Sequence, residues 1–351
     1  MSALRWAAAA VLLGIGTLAA GLEASGYDAA AALGALWFGA FGSWDAFTST
    51  TLVRAIPLIL IGLGIAVAFR AGALNIGAEG QFYAGAIAAT WVGLHLGSQP
   101  APIAIGALLL AAALAGLCWV VVPVWLKLRF GVIEVISTLL LNFVAVSLVS
   151  LMVQGPLQEP QHIYPQSDVI PEAARLPLVP GTRLHAGFVI AVMGGLALWA
   201  LFGKTLWGFR LRAVGMGPRA AEVSGRIDSQ RISAVALLLS GAIAGLAGGV
   251  EVSGVSYALF QNLSPGYGFT GIAVALLGGL HPIGVVVAGI LFGALQAGAG
   301  AMQRDAGVPA VAVYVVQAVI IVVALLATAP RGGWTALRVA VRKRIAPRAA
   351  G

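Results

Sequence analysis

The chain has 351 residues, of which 60% are hydrophobic and 9% charged. A soluble domain carries about 25% charged residues, so the composition excludes soluble enzymes and soluble binding modules and points to a polytopic membrane protein. The formal net charge of +8 could mark a nucleic-acid binder, but the basic residues sit between apolar runs, which makes the charge a topology signal and argues against a nucleic-acid partner. The single cysteine, Cys118, forms no internal disulfide and reads as a small side chain in an apolar run.

About 20 apolar residues cross a bilayer as a helix, and ten such stretches can be placed. The first covers 6–22 behind Arg5. Ala19-Ala20-Gly21 would also suit a cleaved leader, yet a chain this apolar needs an orienting first span. Residues 23–51 hold Glu23, Asp28 and Asp45 but no Lys or Arg. Trp37, Phe38, Phe41 and Trp44 there predict a short helix at headgroup level. The second span covers 52–69. A polar, helix-breaking stretch, Asn75-Ile76-Gly77-Ala78-Glu79-Gly80-Gln81, leads into the third, which ends near Leu96. The fourth runs from 101 to just before Lys127, and the fifth covers 132–153. A Pro-rich polar loop at 154–186 precedes the sixth span at 187–203, and a basic loop follows at 204–231. The seventh span covers 232–253. A second broken stretch, Asn262-Leu263-Ser264-Pro265-Gly266-Tyr267-Gly268-Phe269-Thr270, opens the eighth, which covers 269–280. The ninth covers 283–302, the tenth 309–329, and a basic tail occupies 331–351.

A cytoplasmic N-terminus places 16 of the 20 Lys and Arg residues inside and leaves Arg54, Arg175, Arg183 and Arg304 outside. The positive-inside rule therefore predicts both termini and the 204–231 loop in the cytoplasm, with 154–186 external. In that topology the two broken stretches run antiparallel. Paired interruptions of this kind mark inverted repeats around a transport site. The expected fold is one all-α permease domain of about ten spans, with residues 52–153 as the first repeat and 232–330 as the second. Residues 1–51 form the lead-in, 154–186 the external loop and 187–231 the sixth span with its cytoplasmic loop. Small residues at four-residue spacing, Gly241-Gly245-Gly249, Gly271-Ala275-Gly279 and Gly289-Gly293-Ala297, predict close helix contacts.

No catalytic, metal-binding or cofactor motif occurs in the sequence, and no phosphate-binding Gly-x-x-x-x-Gly-Lys-[Ser/Thr] loop. An ATP-driven transporter would therefore need its ATPase on another polypeptide. Broken backbone at membrane depth survives only in protein or beside a wet cavity, so the candidate pathway gathers around the breaks. It comprises Asn75, Glu79, Gln81, Phe82, Asn142, Phe143, Glu251, Asn262, Tyr267 and Phe269. Intramembrane carboxylates are functional candidates, although each could equally accept hydrogen bonds from freed backbone N–H groups. Glu134, Thr138 and Asn142 follow at four-residue steps as a polar stripe on one helical face. In the 204–231 loop, Gly217-Pro218 predicts a helix start and Gly225 a stop. Ala220 and Val223, then Ile227 beyond the stop, share one face, with Arg219, Glu222 and Arg226 on another. That helix suits either an ATPase groove or the membrane surface.

These residues resemble a known family. Asn75–Gln81, Glu134-Val135-Ile136-Ser137-Thr138-Leu139-Leu140-Leu141-Asn142-Phe143, Gly155-Pro156-Leu157 with Tyr164-Pro165-Gln166-Ser167, the 215–225 loop, and the run from Gly266 to Gly278 are similar to permease subunits of the nucleoside and simple-sugar branch of bacterial ABC importers, relatives of the ribose and branched-chain amino-acid permeases. The resemblance implies an inner-membrane importer of nucleosides or a related simple sugar. It also implies a cytoplasmic ABC ATPase, a second permease (a paralogue rather than a copy) and an extracellular or periplasmic substrate-binding protein. It makes Gly217, Pro218, Ala220, Ala221, Val223, Gly225 and Arg226 a coupling helix. Membrane lipid is the remaining expected partner. The competing class is an ion-coupled secondary transporter of a small polar solute, with the intramembrane acids as coupling sites.

Overall fold

The computed structural model describes residues 3–225 and 227–328, so Arg226 and the 331–351 tail lie outside the described residues. Among the described residues the elements are helices, with two isolated bridge pairs and no named strand. Helices α1 (Ala3–Ala24) and α2 (Ala29–Phe41) precede a π-helical turn at Ala46–Leu52 that runs directly into α3 (Val53–Arg70). Then come α4 (Ala78–Leu96), α5 (Ala101–Phe130) and α6 (Glu134–Val153), followed by α7 (Gly187–Lys204), α8 (Leu206–Met216) and α9 (Pro218–Gly225). A second π-helical turn, Val252–Ser256, continues α10 (Ser229–Glu251), and α11 (Tyr267–Leu277), α12 (Pro282–Ala306) and α13 (Ala312–Thr328) complete the bundle.

A helix stands at each expected span, but among the described residues six stretches are long and apolar enough to cross a membrane, namely Ala46–Arg70, α5, α6, α7, Ser229–Ser256 and α12. Helix α11 has 11 residues, about 16 Å of length, roughly half of a hydrocarbon layer ~30 Å thick. Helix α5 overruns its expected end through Lys127 and Arg129, because nothing stops it before Gly131, which takes the left-handed conformation at φ 67°. Both cations thus fall in the last turn, where the helix dipole favours positive charge.

Helix α3 is buried at every residue from Ala55 to Ala68, as expected for a helix apolar on all sides at a bundle centre. It packs against α10, α11 and α12, while α10 packs against α3, α4 and α5. Helix α4 also meets α5 and α6, as α11 meets α12 and α13. Helix α7 lies on α3 and α12, and α1 lies on α13. The small-residue spacing of α10 does what it predicts. A side chain at Gly245 would strike the Ala112 carbonyl of α5, and one at Gly241 would meet Val120. Gly289 and Gly293 likewise admit Ile59 and Ala55 of α3. Gly279 departs from this expectation, since it sits at φ 62° with open space around it and turns the chain after α11.

The 23–51 segment is more than a surface helix. Ala32 and Ala40 of α2 are fully buried, Gly39 lies against Ala301, and Gly298 lies against Leu36. Its other face keeps Trp37 and Phe38 exposed. Small residues on one side let α2 dock on α12, and the aromatics that suggested a headgroup position occupy only the other side.

Two ends of the bundle can be told apart by their loops. Residues 154–186 cover one end, where Ile170 and Leu176 donate backbone hydrogen bonds to Tyr257 and Ser253. His185 is packed against Gly187 and Gly254 there, and burial pushes its imidazole down to about 4. Hydrogen bonds from Gln166 and Tyr164 hold the Glu159 carboxyl below the ordinary carboxylate range. Helices α8 and α9 stand at the opposite end, with Gly215 pressed on the Arg70 carbonyl that closes α3.

Candidate functional site

The first break is a segment of seven residues, 71–77, whose backbone cannot bond to itself. The polar stripe on α6 replaces the missing ladder. Glu134 Oε1 accepts from Leu74 N (3.3 Å) and from Lys127 Nζ (2.8 Å), the one ion pair among the described residues. One turn on, Thr138 Oγ1 accepts from Ile76 N at 3.3 Å and donates to the Glu134 carbonyl. One turn further, Asn142 donates to the Ile76 carbonyl (2.9 Å) and accepts from Gly80 N (2.8 Å). Asn75 closes the other side, since its Nδ2 donates to Gln81 Oε1 and to Ser240 of α10, while its Oδ1 accepts from Gly77 N and Gln81 Nε2. Buried peptide groups must be paired, and the four-residue period of an α-helix supplies partners at the rise of an extended segment beside it.

The two broken elements then meet at their N-termini. Glu79, in the first turn of α4, accepts from Gly268 N at 2.6 Å, in the first turn of α11. Gly268 is packed so closely that any side chain would strike the Glu79 backbone. Two helix N-termini therefore face one carboxyl group. Ser264 accepts from Gly266 N and Tyr267 N, and the Tyr83 hydroxyl bonds to both the N–H and carbonyl of Ser264. The Phe82 ring stands edge-on to Tyr267 at 5.8 Å.

Asn75, Glu79, Gln81, Phe82, Asn142 and Tyr267 are all buried in this knot, and no space separates α4 from α11 where it was expected to pass solute. Phe143, Asn262 and Phe269 are exposed, the two rings by 66% and 47%. Glu251 is buried at the end of α10 and faces a cavity at the 154–186 end. In α9, Pro218 opens the helix, Ala221 is buried, and Ala220 and Val223 are exposed, with Gly217 before it and Gly225 at its end.

Several residues were missed by sequence reading. A cavity of about 350 Å³ opens beside Asn262, lined by Tyr83, Ser147, Ser150 and Gln261, with Gln261 Nε2 donating to Ser150 Oγ at 2.6 Å. The available signal was Ser147, Ser150 and Gln154, polar at helical spacing on an otherwise apolar span. Asn262 holds φ at 61°, a conformation that non-glycine residues adopt sparingly and that clusters at functional sites. A larger cleft of about 920 Å³ lies between α4, α5 and α6. Its walls, including Ile87, Trp91, Leu148 and Met152, are apolar, which suits no hydroxylated solute. No cluster of three or more metal-ligating side chains occurs among the described residues.

Comparison with known proteins follows the same lines. The family described as branched-chain amino acid transport system / permease component matches residues 47–325. The guanosine ABC transporter permease protein NupP of Bacillus subtilis is 39% identical over 319 residues, covering 89% of this chain and 90% of that protein. The glucose ABC transporter permease protein TsgB13 of Haloferax volcanii is 40% identical over 281 residues, 77% of this chain and 73% of its own. A second Bacillus subtilis protein, the guanosine ABC transporter permease protein NupQ, is 30% identical over 260 residues, 70% of this chain and 78% of its own. No solved structure matches.

Proposed function

We propose a function from one premise: the chain belongs to the family of branched-chain amino acid transport system permease components. It is the membrane-spanning subunit of an ABC system, and ATP hydrolysis belongs to a separate polypeptide. Its cargo is a nucleoside or a simple sugar moved into the cytoplasm, in keeping with the names of its relatives. Two Bacillus subtilis guanosine permeases match it, which supports a second, paralogous permease beside it. The assembly also includes a cytoplasmic ATPase and an external binding protein.

The observation that carries the pathway is the exposed side of α6 and the 257–269 loop. Phe143, Ser147, Asn262 and Phe269 are exposed there, with Ser147 Oγ donating to the Phe143 carbonyl, while the polar side chains of the first break are buried and bonded within the protein. Exposed polar groups on a membrane helix belong against water or protein, not lipid. We place the route on this face, toward the second permease. Base–aromatic stacking, worth about 1–3 kcal/mol per base, gives Phe143 and Phe269 a role with a nucleoside. Asn75, Glu79, Gln81, Asn142, Phe82 and Tyr267 act as its scaffold.

The topology is both termini in the cytoplasm with 154–186 outside, in a bacterial inner membrane. The inverted-repeat reading gains support from the helix contacts, because exchanging α3, α4, α5 and α6 for α10, α11, α12 and α13 maps one set of neighbours onto the other. Ten spans follow if α1, α4, α11 and α13 also count. Val223 and Met216, exposed by 84% and 85% at the α8–α9 end, offer the ATPase an apolar contact. Helix α8 rests on the end of α3, which leads into the first break.

Cysteine scanning in a Cys118→Ala background tests the route. Ser147→Cys and Asn262→Cys should react with a small hydrophilic thiol reagent in the assembled importer, and substrate should slow the reaction. Two unreactive positions would remove the route from this face. Gln161→Cys should label from outside and Gln230→Cys from inside, and uptake should need the ATPase but survive an uncoupler.

A further inference from the structure

Four carboxylates are buried among the described residues, and three are occupied. Glu79 accepts from Gly268 N, Glu134 from Lys127 and Leu74 N, and Glu159 from Tyr164 N and Gln166 Nε2. Glu251 differs. It is 6% exposed, yet its carboxylate has no hydrogen-bond donor and no cation at ion-pair distance among the described residues. A buried carboxyl group without partners is costly, and it accepts through its oxygens whether or not it carries a proton.

The Glu251 side chain faces a cavity of about 210 Å³ at the 154–186 end, lined also by Ser49, Thr50, Arg54, Arg183 and Tyr267. The two π-helical turns of the molecule form its walls, Ala46–Leu52 carrying Ser49 and Thr50, and Val252–Ser256 carrying Val255. Such turns occur often at functional sites. The long loop is fastened over the cavity by Arg183 N, which donates to Ser49 Oγ at 3.0 Å. Arg54 and Arg183 are exposed at its rim.

The charges select the ligand. Two guanidinium groups at the rim repel a cation. The Glu251 carboxyl oxygens beneath offer lone pairs, which disfavour an anion. A neutral molecule fits when adjacent groups can both donate and accept, and a hydroxyl does both. We propose that this cavity is a substrate subsite for the vicinal hydroxyl pair of a sugar ring, with Glu251 accepting from the pair and Arg54 donating to it. The assignment rests on the reading of the cargo as a nucleoside or simple sugar, whose common chemistry is that hydroxyl pair. Serine and threonine hydroxyls of the first π-helical turn complete the polar wall. A site built to bond a hydroxyl discriminates sharply against the analogue that lacks it.

The test is a cycle between protein and ligand in proteoliposomes holding the full importer, with both permeases, ATPase and binding protein. Uptake of guanosine and 2′-deoxyguanosine, and of glucose and 2,3-dideoxyglucose, which keeps no vicinal hydroxyl pair, is measured with wild type, Glu251→Gln and Arg54→Gln. Arg54 is exposed, so its variant folds even if the buried substitution does not. We expect at least about a tenfold loss of uptake for the hydroxylated member of a pair, and little loss for the deoxy member. Preferences of the binding protein are common to wild type and variant and cancel. Non-additivity in the guanosine pair alone assigns the hydroxyls to ribose, and in the glucose pair alone to a hexose. Equal losses for both members of each pair, or none, overturn the subsite and leave the transport reading standing. Absence of uptake of any of the four by the wild type overturns the transport reading and the subsite together.

Discussion

The two breaks look alike in sequence and are held in opposite ways. Residues 71–77 are stitched from both sides by α6 and α10, with the Asn75, Glu134, Thr138 and Asn142 side chains all bonded. Residues 257–266 are held instead by Ser167 and Ile170 of the 154–186 loop, by Ser150 of α6, and by Tyr83 and Ser264. They carry three left-handed residues, Tyr257, Asn262 and Gly266, and leave Asn262 exposed. A saturated break is a girder, since each of its polar groups is already engaged. The second break is tied largely to a surface loop and keeps the exposed Asn262 side chain outside the hydrogen bonds of the described residues, open to a solute.

The largest effect should come from Asn142→Leu. It leaves the buried Gly80 N–H and Ile76 carbonyl unpaired, at about 1–3 kcal/mol each, so the melting temperature and the yield of folded permease should fall together. Retained stability with lost flux would turn the first break back into a pathway. Next in size is Glu79→Ala, which leaves the buried Gly268 N–H unpaired at the meeting of two helix ends, at about 1–3 kcal/mol. Glu79→Gln keeps an acceptor for Gly268 N and should recover most of that stability. Equal melting temperatures for the two variants would show that the bond to α11 is not what joins the breaks.

The clamp over the second break should respond to pH. His185 is neutral in the fold with its pKa lowered to about 4, so the unfolded chain takes up a proton first. Its contribution is complete above about pH 6.5 and is lost as the pH falls toward 4. His185→Gln should flatten the melting temperature over that window, and a slope identical to wild type would assign the pH response elsewhere. The smallest stability effects, within about 0.5 kcal/mol, belong to Phe269→Ala and Val223→Asp, both at exposed positions. Phe269→Ala should lower flux several-fold. Val223→Asp should separate ATP hydrolysis from transport, because a charge cannot be desolvated in an apolar groove without a partner. Normal uptake by either variant would remove its residue from the route or from the ATPase contact.

Sequence alone determined where the helices of the expected spans lie, both interruptions, and the start and stop of α9 at Pro218 and Gly225, but not α8. These are local matters, set by apolar runs and by what Gly and Pro permit the backbone. It also showed the stripe of Glu134, Thr138 and Asn142. It could not show what the stripe is for, because Asn142 meets Gly80 across 62 positions and Glu79 meets Gly268 across 189. A polar residue in an apolar run reads the same whether it is bonded to backbone or open to a cavity. Only the packing of α4, α6, α10 and α11 separates Glu79 from Glu251, since hydrogen bonding is decided by which donors the fold brings within about 3 Å, and those donors come from distant stretches of chain.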